Sequence, residues 1–140
     1  MIRDIALPVA LLSLLQVGMC APDEAPTPPE EMELQVLPDD MRGRWGLVDA
    51  DCERGRADAK GLMVVTARHL TFYESRATLR EVEHLGPERV AAGFSYTGEG
   101  TTWSQDVSLT LTEDGDRLQR QETGPEAEPV DLTYRRCDGG

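Results

Sequence analysis

Between Trp103 and Thr112 the chain alternates: Trp103, Val107, Leu109 and Leu111 share one parity, and Ser104, Asp106, Ser108, Thr110 and Thr112 share the other. This is the period of an extended strand with one face on a core and one in water, and a helix, with its period of 3.6, cannot satisfy it. The same test predicts strands near Arg44–Val48, Leu62–Thr66, His69–Glu74, Ala77–His84, Arg89–Thr97, Arg117–Glu122 and Val130–Arg136. Turn signals separate them at Leu85-Gly-Pro-Glu88, Thr97-Gly-Glu-Gly100, Glu113-Asp-Gly-Asp116 and Thr123-Gly-Pro-Glu126, at hairpin intervals. Short strands joined by tight turns must bury a common apolar face, and closing the sheet on itself does so while removing exposed edges. The expectation is an all-β fold, a small antiparallel meander barrel of about eight strands. A β-sandwich is the alternative, because strand count and alternation do not separate the two.

A chain of 140 residues has room for one such domain, and aromatic residues at 5% leave it a small core that calls for a staple. The organisation read from the sequence is a leader over residues 1–20, an acidic Pro-rich linker over 21–41 and the β-domain over 42–137. From Ala21 to Asp40 there are five prolines, seven acidic residues and no basic one, the composition of an extended tether.

The leader has an apolar run from Ile5 to Val17, preceded by Arg3, which is the pattern of an export signal and too short to cross about 30 Å of hydrocarbon as a helix. Val17-Gly18-Met19-Cys20 resembles the lipobox of bacterial lipoproteins, although Met19 departs from the usual small residue. That resemblance implies a diacylated Cys20 as mature N-terminus, and a protein exported and lipid-anchored to the membrane on the periplasmic side of the envelope. Ordinary cleavage after Cys20 or Ala21 is the alternative processing. Assigning Cys20 to lipid leaves Cys52 and Cys137 as an even pair in an oxidising compartment, and a disulfide between them is expected. In the chain-entropy model a loop of that size stabilises by roughly 4–5 kcal/mol. Neither cysteine has His or Cys neighbours at metal-ligand spacing.

The formal net charge is −12, and removing residues 1–20 takes away one basic and one acidic residue, so it does not change. A field of that sign argues against nucleic acid and anionic headgroups as partners.

Leu37-Pro-Asp-Asp-Met-Arg-Gly-Arg-Trp-Gly-Leu47 reads as a short turn, capped by Asp39 or Asp40, that runs into Gly43-x-Trp45 on the first strand. This resembles the entry motif of calycin-type barrels, the lipocalins and the small periplasmic metalloprotease inhibitors of bacteria. The resemblance implies that Arg136 on the last strand lies over Trp45 as a cation–π lid closing one barrel end. Nothing in Ala21–Asp40 matches the inhibitors' N-terminal arm, and the Cys52 to Cys137 spacing departs from their disulfide. The chain, with its run from Leu70 to Leu79, is also similar to small envelope lipoproteins of alphaproteobacteria, which implies no activity.

No catalytic residues, metal site or cofactor are expected. His69 and His84, the only neutral-pH bases, fall on separate strands. Glu74-Ser75-Arg76 reads as a salt-bridged turn, with a rim binding site as the alternative. Asp49, Asp51, Glu53 and Asp58 lack calcium-loop spacing and read as a solvated acidic loop. The function read from the sequence is therefore a non-enzymatic envelope lipoprotein domain that binds an envelope protein, in the manner of an inhibitor. A lipocalin-like carrier of a small molecule and a purely structural lipoprotein are the alternatives.

Overall fold

A computed structural model describes residues 35–125 and 128–137. The chain from Gln35 onward forms a closed barrel of eight antiparallel strands in meander order: β1 (Gly43–Gly46), β2 (Leu62–Val65), β3 (His69–Thr71), β4 (Ser75–Leu85), β5 (Arg89–Gly98), β6 (Thr101–Leu111), β7 (Arg117–Thr123) and β8 (Val130–Arg136). The barrel, rather than the sandwich, is the fold.

Turn chemistry sets the register. Gly98 pairs with Thr101 across the β5–β6 hairpin, leaving Glu99 and Gly100 as a two-residue loop, both at positive φ (48° and 79°). That is the twist-matched hairpin turn, and it fixes ten consecutive residue pairs between the two strands. At the β6–β7 turn, Asp114 accepts from the Thr112 hydroxyl and the Asp116 amide, which hold its carboxyl below the usual range, and Gly115 takes the left-handed position. The seam that closes the barrel is much shorter: β1 meets β8 at only Trp45↔Arg136 and Gly46↔Arg135.

Alternation fills the interior, interrupted on β4 by register shifts at Leu79/Glu81 and Val82/His84. Trp45, Met63, Leu70, Leu79, Phe94, Leu109 and Leu118 are essentially inaccessible, and Leu37 and Met41 join them at one end. Leu37 and Met41 lie in the stretch whose acidic, Pro-rich composition reads as linker, yet their apolar side chains plug the barrel. A single turn of 3₁₀ helix, Asp39–Met41, turns Met41 inward. Neither Asp39 nor Asp40 caps that turn as expected: the residue before it is Pro38, and Asp39 instead pairs with Arg42.

That end is sealed. The Arg136 guanidinium lies 4.2 Å over the Trp45 ring. It also donates to the carbonyls of Gly115 (2.9 Å), Arg42 (3.3 Å) and Asp40 (2.5 Å), tying last strand, first strand and β6–β7 turn together. Trp45 Nε1 donates to the Met41 carbonyl at 2.9 Å, so the ring has no unmet polar atom. On the outside of the same seam, Cys52 and Cys137 form a disulfide with Cα atoms 5.2 Å apart, within the range such bonds require.

Candidate functional site at the barrel mouth

The opposite end is open. Here the β1–β2 and β7–β8 connections and the β3–β4 turn surround a depression of about 350 Å³ whose wall includes Lys60, Phe72, Tyr73, Tyr96, Trp103 and Arg120. Inward parity builds it. On β6 the positions that carry Leu111, Leu109 and Val107 deeper in the barrel continue upward as Gln105 and Trp103. On β7 the sequence Leu118, Arg120, Glu122 does the same, so the core becomes polar and aromatic as it nears the mouth.

Three rings form a ladder: Phe72 and Tyr96 stack at 6.1 Å and 13°, and Tyr96 and Trp103 at 5.3 Å and 20°. Behind them Arg120 and Glu122, both nearly inaccessible, form an ion pair at 3.0 Å. Glu122 also accepts the Tyr96 hydroxyl, and the Arg120 guanidinium lies over Phe72 at 4.4 Å and Tyr134 at 5.6 Å. Burial, reinforced by the Glu122 carboxylate, pushes the Tyr96 phenol far above its ordinary value, and burial raises that of Tyr134. Two polar atoms lining this end, Gln105 Oε1 and Arg120 Nε, are buried without a hydrogen-bond partner among the described residues. Gln105 fits only because Gly124 lies opposite: a Cβ there would come within 2.1 Å of the amide oxygen.

At the rim, Tyr73 is 47% exposed, with the Lys60 ammonium 5.7 Å from its ring centre. The arrangement offers a stacking wall, a fixed charge pair and an exposed aromatic, which suit recognition of another molecule.

The other sequence candidates lie elsewhere. His69 contacts Thr78 on the outer surface at 3.2 Å, and neither His69 nor His84 lines the mouth. Glu74 and Ser75 do line it, but Arg76 is exposed and makes no ion pair with Glu74 among the described residues, so the expected salt-bridged turn is replaced by a rim position. The four carboxylates near Cys52 turn to separate tasks. Asp51 is buried and accepts the amides of Val48 and Gly61 at 3.0 and 3.1 Å. Asp49 pairs with Arg135 at 2.6 Å, at an angle outside hydrogen-bond geometry, and Glu53 and Asp58 both pair with Arg56. Among the described residues no group of three or more His, Cys, Asp or Glu is placed to hold a metal. Cys20, the expected lipid attachment point, lies outside the described residues.

Sequence reasoning missed Arg120, Glu122 and Gln105. The signal was present, since all three share the parity of the apolar residues on their strands. A charged pair at two successive inward positions of a core strand marks a place where the interior stops being purely apolar.

Comparison of the chain with family models, with curated proteins and with solved structures finds no match in any of the three.

Proposed function

We propose that the protein is a non-enzymatic binding domain of the bacterial envelope, exported, held on the membrane through lipid on Cys20, and acting on a protein partner through the barrel mouth. The observation that carries this reading is the contrast between the two barrel ends. One is filled by Leu37 and Met41 under the Arg136–Trp45 lid, and the other presents Tyr73, Trp103 and Phe72 around a pre-formed depression. An exposed Tyr73 beside the half-buried Phe72 and Trp103, over a buried charge pair, is the composition of a protein-binding hot spot. The Cys52–Cys137 disulfide supports an oxidising compartment. Inhibition of a hydrolase would be one outcome of such binding.

A small-ligand carrier draws support from the mouth's volume, about 350 Å³, near the lower end of ligand pockets. Native mass spectrometry of the protein extracted gently from its own membranes separates the two readings. A co-purifying protein that is lost from Tyr73→Ala and Trp103→Ala variants supports protein binding at the mouth. A co-purifying small molecule supports the carrier, and a protein retained by both variants removes the mouth from the reading.

A further inference from the structure

One row of cross-strand neighbours, Val82, Ala92, Val107, Glu122 and Val130, crosses β4 to β8 at the waist of the barrel. A twisted sheet closed on itself is a hyperboloid, concave along its axis at the waist. Along this row the outward side chains of β5 and β6 are short, Ala91 and Ser108, so the concavity stays unfilled. The outcome is a groove of about 480 Å³ that adjoins the mouth, sharing Glu122 and Val130 with it. Its floor is largely apolar, with Ala91 from β5 and Pro129 and Val130 from the last connection and strand. Four carboxylates line it: Glu122, buried and paired with Arg120, and at its edges Glu83, Asp106 and Asp131; among the described residues no lysine, arginine or histidine lines it.

The fold gives the three edge charges little to do. Asp131 accepts the side-chain amides of Gln119 and Gln121 at 2.9 and 3.1 Å. Glu83 and Asp106 have no ion-pair or hydrogen-bond partner among the described residues. Unpaired carboxylates held around an apolar trough, on a chain of net charge −12, repel one another and attract a cation. A basic side chain matches both halves of the trough, because its aliphatic stem covers apolar surface while its head seeks carboxylates.

We infer that the waist groove docks a basic segment of a partner protein, with Lys or Arg stems on the Ala91–Pro129–Val130 floor and their heads at Glu83, Asp106 and Asp131. Charge complementarity chooses this occupant, and the chain's net charge steers it inward. The three edge carboxylates on which this docking relies, Glu83, Asp106 and Asp131, do not line the mouth, so the two readings can be tested apart.

The test uses the full ¹⁵N-labelled chain in nonionic detergent, titrated at low and at physiological salt with an Arg-Leu-Arg-Leu-Arg-Leu peptide and with the same peptide carrying neutral citrulline for arginine. The expected result is amide shifts centred on Ala91, Ser108 and Gln121 with the arginine peptide alone. Affinity should fall about two- to five-fold for each of Glu83→Gln, Asp106→Asn and Asp131→Asn, and at least tenfold for the three together. Glu113→Gln/Asp114→Asn, at the sealed end, should change it little. Four results overturn the inference: no binding at low salt, shifts spread evenly over the acidic surface, equal binding of the citrulline peptide, or a triple variant that folds and still binds at full strength. Because Tyr73 and Trp103 are left intact, failure here leaves the mouth reading standing, and loss of mouth binding leaves this one standing.

Discussion

Removing both cysteines of the disulfide, Cys52→Ser/Cys137→Ser, tests how the barrel stays closed. The bond spans 85 residues of sequence, and constraining a loop of that length in the unfolded chain is worth about 4–5 kcal/mol. In a domain of about 100 residues each kcal/mol moves the melting temperature by roughly 4 °C or somewhat more, so the variant should melt on the order of 15–25 °C lower. The location adds to the expectation, because the bond clasps the two-pair β1–β8 seam, and the Cys52 sulfur is packed so tightly on Gly46 that a Cβ there would sit 2.9 Å from it. The double variant avoids leaving Cys137 free to mispair with Cys20. Thermal unfolding followed by far-ultraviolet circular dichroism should show the drop, and wild type melted with a thiol reductant should converge on the variant's curve. A variant that melts within about 3 °C of the oxidised wild type would refute both the loop-entropy argument and the view of the seam as the weak line of the barrel.

At high pH, Tyr96 and Tyr134 should resist ionisation until the fold is lost. Their folded values are raised above the unfolded 10.0, so the folded chain binds more protons above that pH; stability is unaffected below about pH 10 and falls as pH rises beyond it. Phenolate absorbance from these two residues should therefore appear together with unfolding, and its appearance in a chain with intact circular dichroism would contradict their burial. Glu122→Leu strands the Arg120 guanidinium and should cost about 3–5 kcal/mol in urea denaturation, whereas Arg120→Met/Glu122→Leu should cost less than that single change; additive losses would show that the pair is not coupled. Arg136→Lys keeps the charge but loses the planar fork that stacks on Trp45 while reaching three carbonyls, and should destabilise by about 1–3 kcal/mol with altered Trp fluorescence. Unchanged stability would mean that the sealed end needs only a positive charge.

The barrel was legible because period-two parity is a local property: β6 shows its apolar inward residues, Trp103, Val107, Leu109 and Leu111, without reference to the rest of the chain, although its inward Gln105 and the inward Arg120 and Glu122 of β7 went unread. Glu99-Gly100 was equally readable, since the turn depends on backbone conformations that glycine favours. The boundary of the domain was not. Leu37 and Met41 sit among Pro38, Asp39 and Asp40, so composition gave them to the tether, and only the three-dimensional closure of the barrel creates the hole they fill. The mouth was half legible. Trp103 shares the apolar parity of β6, and its partner Tyr96 follows from the β5–β6 hairpin, yet the ladder also takes in Phe72 from the β3–β4 turn, which only the closed barrel brings alongside. The waist groove had no signature at all, because it arises from sheet curvature and from the shortness of Ala91 and Ser108, and short polar or small residues on a wet face carry no pattern.

The chain enters and leaves the barrel at one pole. Leu37 bonds to the β2–β3 turn through the Ala67 carbonyl, and Cys137 bonds back to Arg44 beside the Arg136 lid, so both ends of the described chain lie far from Tyr73 and Trp103. A force applied to Leu37 and Cys137, the first and last chain positions packed into the barrel, therefore acts on the sealed pole, away from the aromatic one.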